Sequence, residues 1–287
     1  MADTSGPRTV GEAIELGRRR LAHRSDSSRL DARVLVSHAL GKRVEWCLAH
    51  DDAPLTDAQR ADISTLVDRR RAGEPVAYLL GQREFWSLTL SVTPDTLIPR
   101  PDTEVLVECA LNALGDSKAP TVADLGTGSG AVALAIAHAR PDATVLATDR
   151  CPAALTVASE NARRLGLDVA FFEGDWLGAL PHDTAPLDLI VSNPPYVRHD
   201  DLHLTRGDVR FEPRDALVSA GDGLADISTI ARHAPAFLVP GGELLLEHGF
   251  DQAGGVRRVL HQVGLTDITT TADLAGQPRV TGGRRPF

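Results

Sequence analysis

Four consecutive residues, Asn193-Pro194-Pro195-Tyr196, stand directly after the apolar run Leu187 to Val191 and define a specific chemistry. Two adjacent prolines remove two backbone donors and hold φ, which makes a rigid turn whose carbonyls point to a fixed place. Asn193 presents a side-chain acceptor on the same rim, and Tyr196 an aromatic face. An amide or exocyclic amine nitrogen has its lone pair delocalised and is a poor nucleophile. The Asn193 side-chain oxygen and the Pro194 carbonyl suit the two N–H groups of such a nitrogen. Holding it in line with an electrophilic carbon at roughly 3–3.5 Å supplies much of the acceleration, and acceptors aimed at developing positive charge supply more. No general base is required, because the alkylated nitrogen is briefly a strong acid and sheds its proton to solvent or a neighbouring carbonyl. A purely structural turn is the competing reading, and the placement after an apolar strand argues against it.

A second candidate is the loop Asp124-Leu125-Gly126-Thr127-Gly128-Ser129-Gly130, which closes the apolar strand Thr121 to Leu125. Glycines let a backbone turn tightly and approach a ligand without a Cβ in the way. Gly126, Gly128 and Ala131 also satisfy the dinucleotide pattern G-x-G-x-x-G/A, and Asp149 sits about where a ribose-binding acid belongs. Alone, the loop suits S-adenosylmethionine, a dinucleotide or a plain turn. Asp124 shifts the balance: a carboxylate is unfavourable beside a pyrophosphate but suits the cationic amino-acid portion of S-adenosylmethionine. Asp149, at the end of the next strand, is expected to accept both ribose hydroxyls. Its bland alternative is a cap for the helix starting at Pro152.

Elements that put both loops in one place are legible around them. Strands at Thr121 to Leu125, Thr144 to Thr148, Val169 to Phe172, Leu187 to Val191 and Leu244 to Leu246 alternate with helices. Those helices span Ala131 to Ala139, Pro152 to Leu165 and Ala225 to Leu238. Such alternation implies an α/β fold, a mostly parallel sheet with helices on both faces, which binds ligands beyond the carboxyl ends of its strands. The first part reads as helical, with apolar residues at helical spacing over Val10 to Ala22 and Arg29 to Leu40. A further helix opens at Thr56 and stops at Gly73, and its Arg69-Arg70-Arg71 cluster reads as a solvated last turn. Apolar alternation over Val76 to Val92 points to a β-hairpin between two domains.

The chain has 287 residues, 43% apolar and 24% charged, as in an ordinary soluble globular protein. The longest clean apolar stretch, Ala131 to Ala137, is too short to span a bilayer. The first residues lack the apolar core of a signal peptide. Cys47, Cys109 and Cys151 are scattered, which suggests neither a disulfide framework nor a metal site. A cytoplasmic address without membrane contact is expected. Net charge is −9; residues 1–83 carry 14 Lys/Arg against 12 Asp/Glu, the remainder 16 against 27. That acidic remainder is poorly suited to replace phosphate counterions, so a protein or small-molecule substrate is favoured over direct nucleic-acid binding.

Beyond these loops, the chain carries Pro99-Arg100-Pro101-Asp102-Thr103-Glu104, Gly207-Asp208-Val209-Arg210-Phe211-Glu212-Pro213 and Leu245-Leu246-Glu247-His248-Gly249. With Asn193 to Tyr196 and the helical first part, it resembles over nearly its whole length the N5-glutamine methyltransferases of peptide chain release factors (the PrmC/HemK family). The resemblance implies a seven-stranded Rossmann-like S-adenosylmethionine-dependent methyltransferase domain preceded by a small helical domain. The expected division is a helical substrate-recognition domain over 1–75, a hairpin linker over 76–98 and a catalytic domain over 99–287. It further implies methyl transfer to the glutamine of the release factors' Gly-Gly-Gln motif. By position, Gly126, Thr127, Gly128, Ser129 and Gly130 then line the cofactor with Asp124. Asp149 takes the ribose and Trp176 lies near the adenine. Asn193 faces both cofactor and substrate, and Asn193, Pro194, Pro195 and Tyr196 hold the glutamine amide. Family members often have Thr where Ser129 stands; the hydroxyl is retained. Trp176 also reads as a core aromatic, and His248 as a residue that closes its strand rather than a base. Arg100 is expected to pair with Asp102 or Glu104 or to order the lip over the cofactor, and Arg210 to pair with Glu212. The rival reading is a nucleic-acid methyltransferase acting on the exocyclic amine of adenine or guanine.

Overall fold

The computed structural model describes residues 6–287. They form two units: one runs to Gly81 and takes in Thr205–Phe211, and the other holds Gln82–Leu204 and Glu212–Phe287.

The first unit is built from helices α1 (Val10–Leu21), α2 (Ser28–Leu40), α3 (Val44–Ala49), α4 (Asp57–Arg71) and α5 (Val76–Leu80). Local signals set their ends. Thr9 caps α1 by accepting from the Glu12 amide, and Thr56 and Gln59 form a reciprocal capping box on α4. Leu21, Leu35, Val36, Ile63 and Val67 meet in the shared core. Of the three arginines at the end of α4, Arg71 is exposed as expected. Arg70 is not: it is buried against Asp31 at 2.7 Å and Asp208 at 2.7 Å, and it donates to the Glu74 carbonyl at 3.0 Å. Two carboxylates and a carbonyl offset the desolvation of that guanidinium.

The second unit opens with the antiparallel hairpin β1 (Gln82–Phe85) and β2 (Leu88–Ser91). The hairpin expected over Val76 to Val92 is therefore confined to 82–91. Val76 to Leu80 is α5, opened after Pro75 and closed by Gly81 in the left-handed conformation. Next come α6 (Glu104–Leu114), β3 (Thr121–Leu125), α7 (Ala131–Ala139), β4 (Thr144–Asp149), α8 (Pro152–Leu165), β5 (Ala170–Glu173) and β6 (Leu187–Ser192). The chain continues through the short strands β7 (Val197–Arg198) and β8 (Val218–Ser219). It ends with α9 (Ala225–Phe237), β9 (Leu238–Glu247), α10 (Ala253–Gln262), β10 (Thr266–Ala272) and β11 (Pro278–Arg284). A seven-stranded sheet runs β10-β11-β9-β6-β3-β4-β5, parallel from β9 to β5, with β11 antiparallel to both of its neighbours.

Alternate side chains along each strand serve opposite faces. Val122, Val145, Leu189 and Val191 pack with α6, α7 and the hairpin. Ala123, Leu125, Leu187 and Ile190 pack with α9 and α10. The order of strands reverses between β3 and β6, where such sheets open a crevice for ligands. Ser192 Oγ donates to the Leu125 carbonyl at 2.6 Å and ties those two strand ends together. No helix among the described residues is long and apolar enough to cross a membrane.

Candidate functional site

At the end of β3 the chain turns back under β4. The Gly126 and Thr127 amides donate to the Thr148 carbonyl at 2.8 and 2.9 Å. Gly126 has φ +73° and Gly128 φ +57°, a region that side chains rarely adopt. A Cβ on Gly126 would lie 3.0 Å from the Trp176 ring, whereas one on Gly128 would meet no protein atom within 4 Å. Asp149 accepts from the Gly128 amide through Oδ2 (2.8 Å) and from the Cys151 amide through Oδ1 (2.9 Å). Asp149 therefore organises the start of α8, as its bland reading expects, and also shapes the glycine loop beside the cavity.

Asp124 takes a different place from the one expected. It is 2% exposed, and its Oδ2 accepts from Thr127 Oγ1 at 2.7 Å and from the Ala133 amide at 3.1 Å. Burial pushes its carboxyl up to about 6, against the opposing pull of those two hydrogen bonds. Asp124 braces the loop from beneath. Ser129 is buried too, its carbonyl held by Asn161 Nδ2 at 3.0 Å. Asn161 also exchanges hydrogen bonds with both backbone groups of Ser91, so α8, the hairpin and the glycine loop share one fully buried amide.

A cavity of about 820 Å³ opens beyond these strand ends. Of the residues singled out in the sequence, Gly126, Gly128, Asp149, Trp176, Asn193 and Pro195 line it. Asp124, Thr127, Ser129, Gly130, Pro194 and Tyr196 are not in its wall. Trp176 has φ +50° and both lines the cavity and packs on the core beneath the sheet. The volume lies within the range for small-ligand sites, roughly 300–1,000 Å³. The open space above Gly128, the carboxylate of Asp149 and the indole of Trp176 fit a nucleoside with a charged tail, as S-adenosylmethionine has.

Asn193 begins the rim opposite the glycine loop. Its Nδ2 donates to Thr103 Oγ1 at 3.2 Å. Tyr196 donates its hydroxyl to Glu247 Oε1 at 3.4 Å, and its carbonyl accepts from Gln252 Nε2 at 3.0 Å. Burial, then the charge of Glu247, raises the phenol further out of reach of ionisation. Glu247 is 1% exposed; burial lifts its carboxyl to about 7, while the Thr103 hydroxyl bonded to it and the charge of Arg279 pull the other way. His248 is buried between the Gly249 carbonyl (2.8 Å from Nδ1) and Thr281 Oγ1 (2.7 Å from Nε2). Burial favours its neutral form, and it closes the end of β9.

The ion pairs expected along the lip are exchanged. Arg100 pairs with Glu212, which also accepts from the Ile98 amide at 3.2 Å. Asp102 is taken by Arg279 at 3.1 Å, and Glu104 accepts from the Trp86 amide at 3.0 Å. The Arg210 guanidinium lies over the Phe211 ring and donates to the Ala72 carbonyl at 2.6 Å.

Several wall residues escaped the sequence reading: Pro94 to Leu97 after the hairpin, Arg150 and Cys151 after Asp149, and Arg214 to Ala216. Only Asp175, beside Trp176, had a local signal. The others come from loops with no recognisable ligand pattern.

The family described as "PrmC N-terminal domain" matches residues 12–81, and "Methyltransferase small domain" matches residues 101–222. A release factor glutamine methyltransferase of Bordetella pertussis is 53% identical over 255 residues, covering 89% of this chain and 94% of that protein. One of Vibrio cholerae is 52% identical over 263 residues, covering 91% of each. Among solved structures, a T. thermophilus 16S rRNA N2 methyltransferase in complex with AdoMet and guanosine superposes with TM-score 0.53 at 20% identity. It covers 71% of this chain and 49% of that one, a likeness of fold alone.

Proposed function

Because the chain belongs to the release factor glutamine methyltransferase family, we propose that it methylates the side-chain amide nitrogen of a glutamine in a peptide chain release factor. The methyl donor is S-adenosylmethionine, and the glutamine is that of the Gly-Gly-Gln motif. The products are N5-methylglutamine and S-adenosylhomocysteine. The observation that carries this reading is Asn193 at the wall of the cavity, with its Nδ2 engaged by Thr103 and its Oδ1 left to accept a hydrogen bond.

S-adenosylmethionine, when bound, supplies a methyl group on a positively charged sulfur. The residues of this chain do the rest. Asp149 accepts from ribose hydroxyls, and Trp176 gives the adenine a flat apolar partner. Asn193 Oδ1 and the Pro194 carbonyl accept the two N–H groups of the glutamine amide and turn its nitrogen towards the methyl carbon. Tyr196, held by Glu247 and Gln252, walls the amide. As the nitrogen–carbon bond forms and the carbon–sulfur bond breaks, the nitrogen acquires positive charge that these acceptors stabilise. The extra proton then passes to solvent. We read the helical unit as the part that grips the release factor.

The rival, methylation of a nucleic-acid amine, uses the same acceptor geometry and is separated by experiment. With labelled donor, the account expects label in release factor and none in RNA or DNA. Label in nucleic acid alone overturns it.

A further inference from the structure

Pro194 and Pro195 have no backbone N–H, so the middle of Asn193-Pro194-Pro195-Tyr196 cannot be tethered by backbone donors. The rim has to be held at its ends. On the strand side, Ser192 Oγ donates to the Leu125 carbonyl at 2.6 Å and fixes the chain to β3. On the far side, the Val197 amide donates to the Leu217 carbonyl at 2.9 Å. There the Tyr196 carbonyl is also taken by a side chain 56 residues away, that of Gln252.

Gln252 stands at the start of α10 and uses both ends of its amide. Its Oε1 accepts from the Gly249 amide at 2.8 Å, while its Nε2 donates to the Tyr196 carbonyl at 3.0 Å and to the Asp222 carbonyl at 3.3 Å. An amide oxygen only accepts, and an amide nitrogen has two protons to give. Turned by half a revolution, the side chain would set its oxygen against two carbonyls and its nitrogen against an N–H. One orientation alone satisfies all three partners. Space is reserved for this contact by Gly223, which is buried with φ +86°. A Cβ there would lie 2.4 Å from the Tyr196 carbonyl oxygen and 2.6 Å from Gln252 Nε2, closer than packed atoms approach.

We infer that Gln252 is a positioning residue for methyl transfer: with Gly223 making room, it anchors the Tyr196 carbonyl and fixes the far end of the rim, so that the Pro194 carbonyl keeps its aim at the substrate nitrogen. The inference rests on the acceptor role proposed for the rim. Of the two side-chain attachments of Tyr196, this is the shorter, since the phenol meets Glu247 only at 3.4 Å. The competing role for Gln252 is to organise the turn that opens α10, where its own amide donates to the Gly249 carbonyl at 2.9 Å and its Oε1 takes the Gly249 amide. The two roles use opposite ends of one side chain. Substitution can therefore separate them.

Gln252→Glu keeps an acceptor for the Gly249 amide but turns a charged acceptor on the carbonyls of Tyr196 and Asp222. Gln252→Leu removes both halves without repulsion. Gly223→Ala leaves Gln252 intact and forces it and the Tyr196 carbonyl to move. Val256→Ala serves as the control, because Val256 is buried in the core on the same helix and its loss loosens α10 without removing a bond to the rim. Methylation of release factor by wild type and these four variants is measured at about pH 8, where a glutamate is ionised. Titration with S-adenosylhomocysteine shows in each case that the fold and the cofactor site persist. The expected result is a fall in kcat of roughly 10- to 100-fold in Gln252→Glu and Gly223→Ala, and a smaller one in Gln252→Leu. KM for the release factor should change little, and Val256→Ala should keep the wild-type kcat. If Gly223→Ala does not bind S-adenosylhomocysteine, the order of the two Gln252 variants decides alone. Wild-type kcat in Gln252→Glu beside a loss in Gln252→Leu assigns Gln252 to the turn before α10 and overturns the inference. So does a raised KM at unchanged kcat. An inactive wild type instead refutes the proposed reaction itself.

Discussion

Asp149 accepts a hydrogen bond from the Gly128 amide at 2.8 Å, so the acid at the end of β4 also sets the shape of the glycine loop after β3. Asp149→Ala should weaken binding of S-adenosylhomocysteine by about 1–3 kcal/mol, the loss of charge-assisted hydrogen bonds. Calorimetric titration checks this, and unaltered affinity contradicts the ribose role.

Asn193→Ala separates binding from chemistry. Asn193 is read as touching the nucleotide little and the reacting nitrogen directly. Turnover should drop by orders of magnitude, with S-adenosylhomocysteine affinity nearly intact, the signature of an interaction made in the transition state. Steady-state kinetics on release factor together with calorimetry provide both numbers.

Gly126 and Gly128 share a left-handed backbone but differ in surroundings. Placing Ala at either costs about 1–3 kcal/mol of backbone strain. Only Gly126→Ala also presses a methyl onto the Trp176 ring, where the contact would be 3.0 Å. Tryptophan emission of the unliganded protein should therefore shift in Gly126→Ala and stay close to wild type in Gly128→Ala. Urea unfolding should show both to be less stable.

Asp124 makes stability depend on pH in an unusual direction for a carboxylate. Its folded value of about 6 lies above the ordinary 3.8, so between these values the folded chain holds a proton that the unfolded chain has released. The stabilisation is full below about 4 and is lost as pH rises through about 6. Asp124→Asn should flatten the fall in unfolding free energy over that window. Glu247, raised in the same sense, remains in the variant, so the difference between the two curves isolates Asp124. Identical slopes would contradict the assignment.

The parts of the fold that were legible in the sequence are those with one dominant local signal. Ala131–Ala139 and Pro152–Leu165 match their expected limits because glycine or proline marks their starts and a sharp change of polarity their ends. The loops after β3, β4 and β6 were readable as a site because a parallel sheet gathers them at one edge. Val76–Leu80 was misread because a helix of five residues is too short to display its period against an alternating pattern. The edge strand Thr266–Ala272 had no apolar face to announce it; five of its seven residues are exposed. Arg100 with Glu212, and Asn193 with Thr103, bridge separations of 112 and 90 residues within the chain. Spacing carries no information on such pairs.

Mass spectrometry of a peptide chain release factor, incubated with this protein and S-adenosylmethionine and then digested, tests the central claim most directly. The account predicts one added methyl on the Gly-Gly-Gln glutamine, on the amide nitrogen, lost when Asn193 is replaced by Ala. An unmodified glutamine under conditions where S-adenosylmethionine is bound, or a methyl carried by another residue, would contradict it.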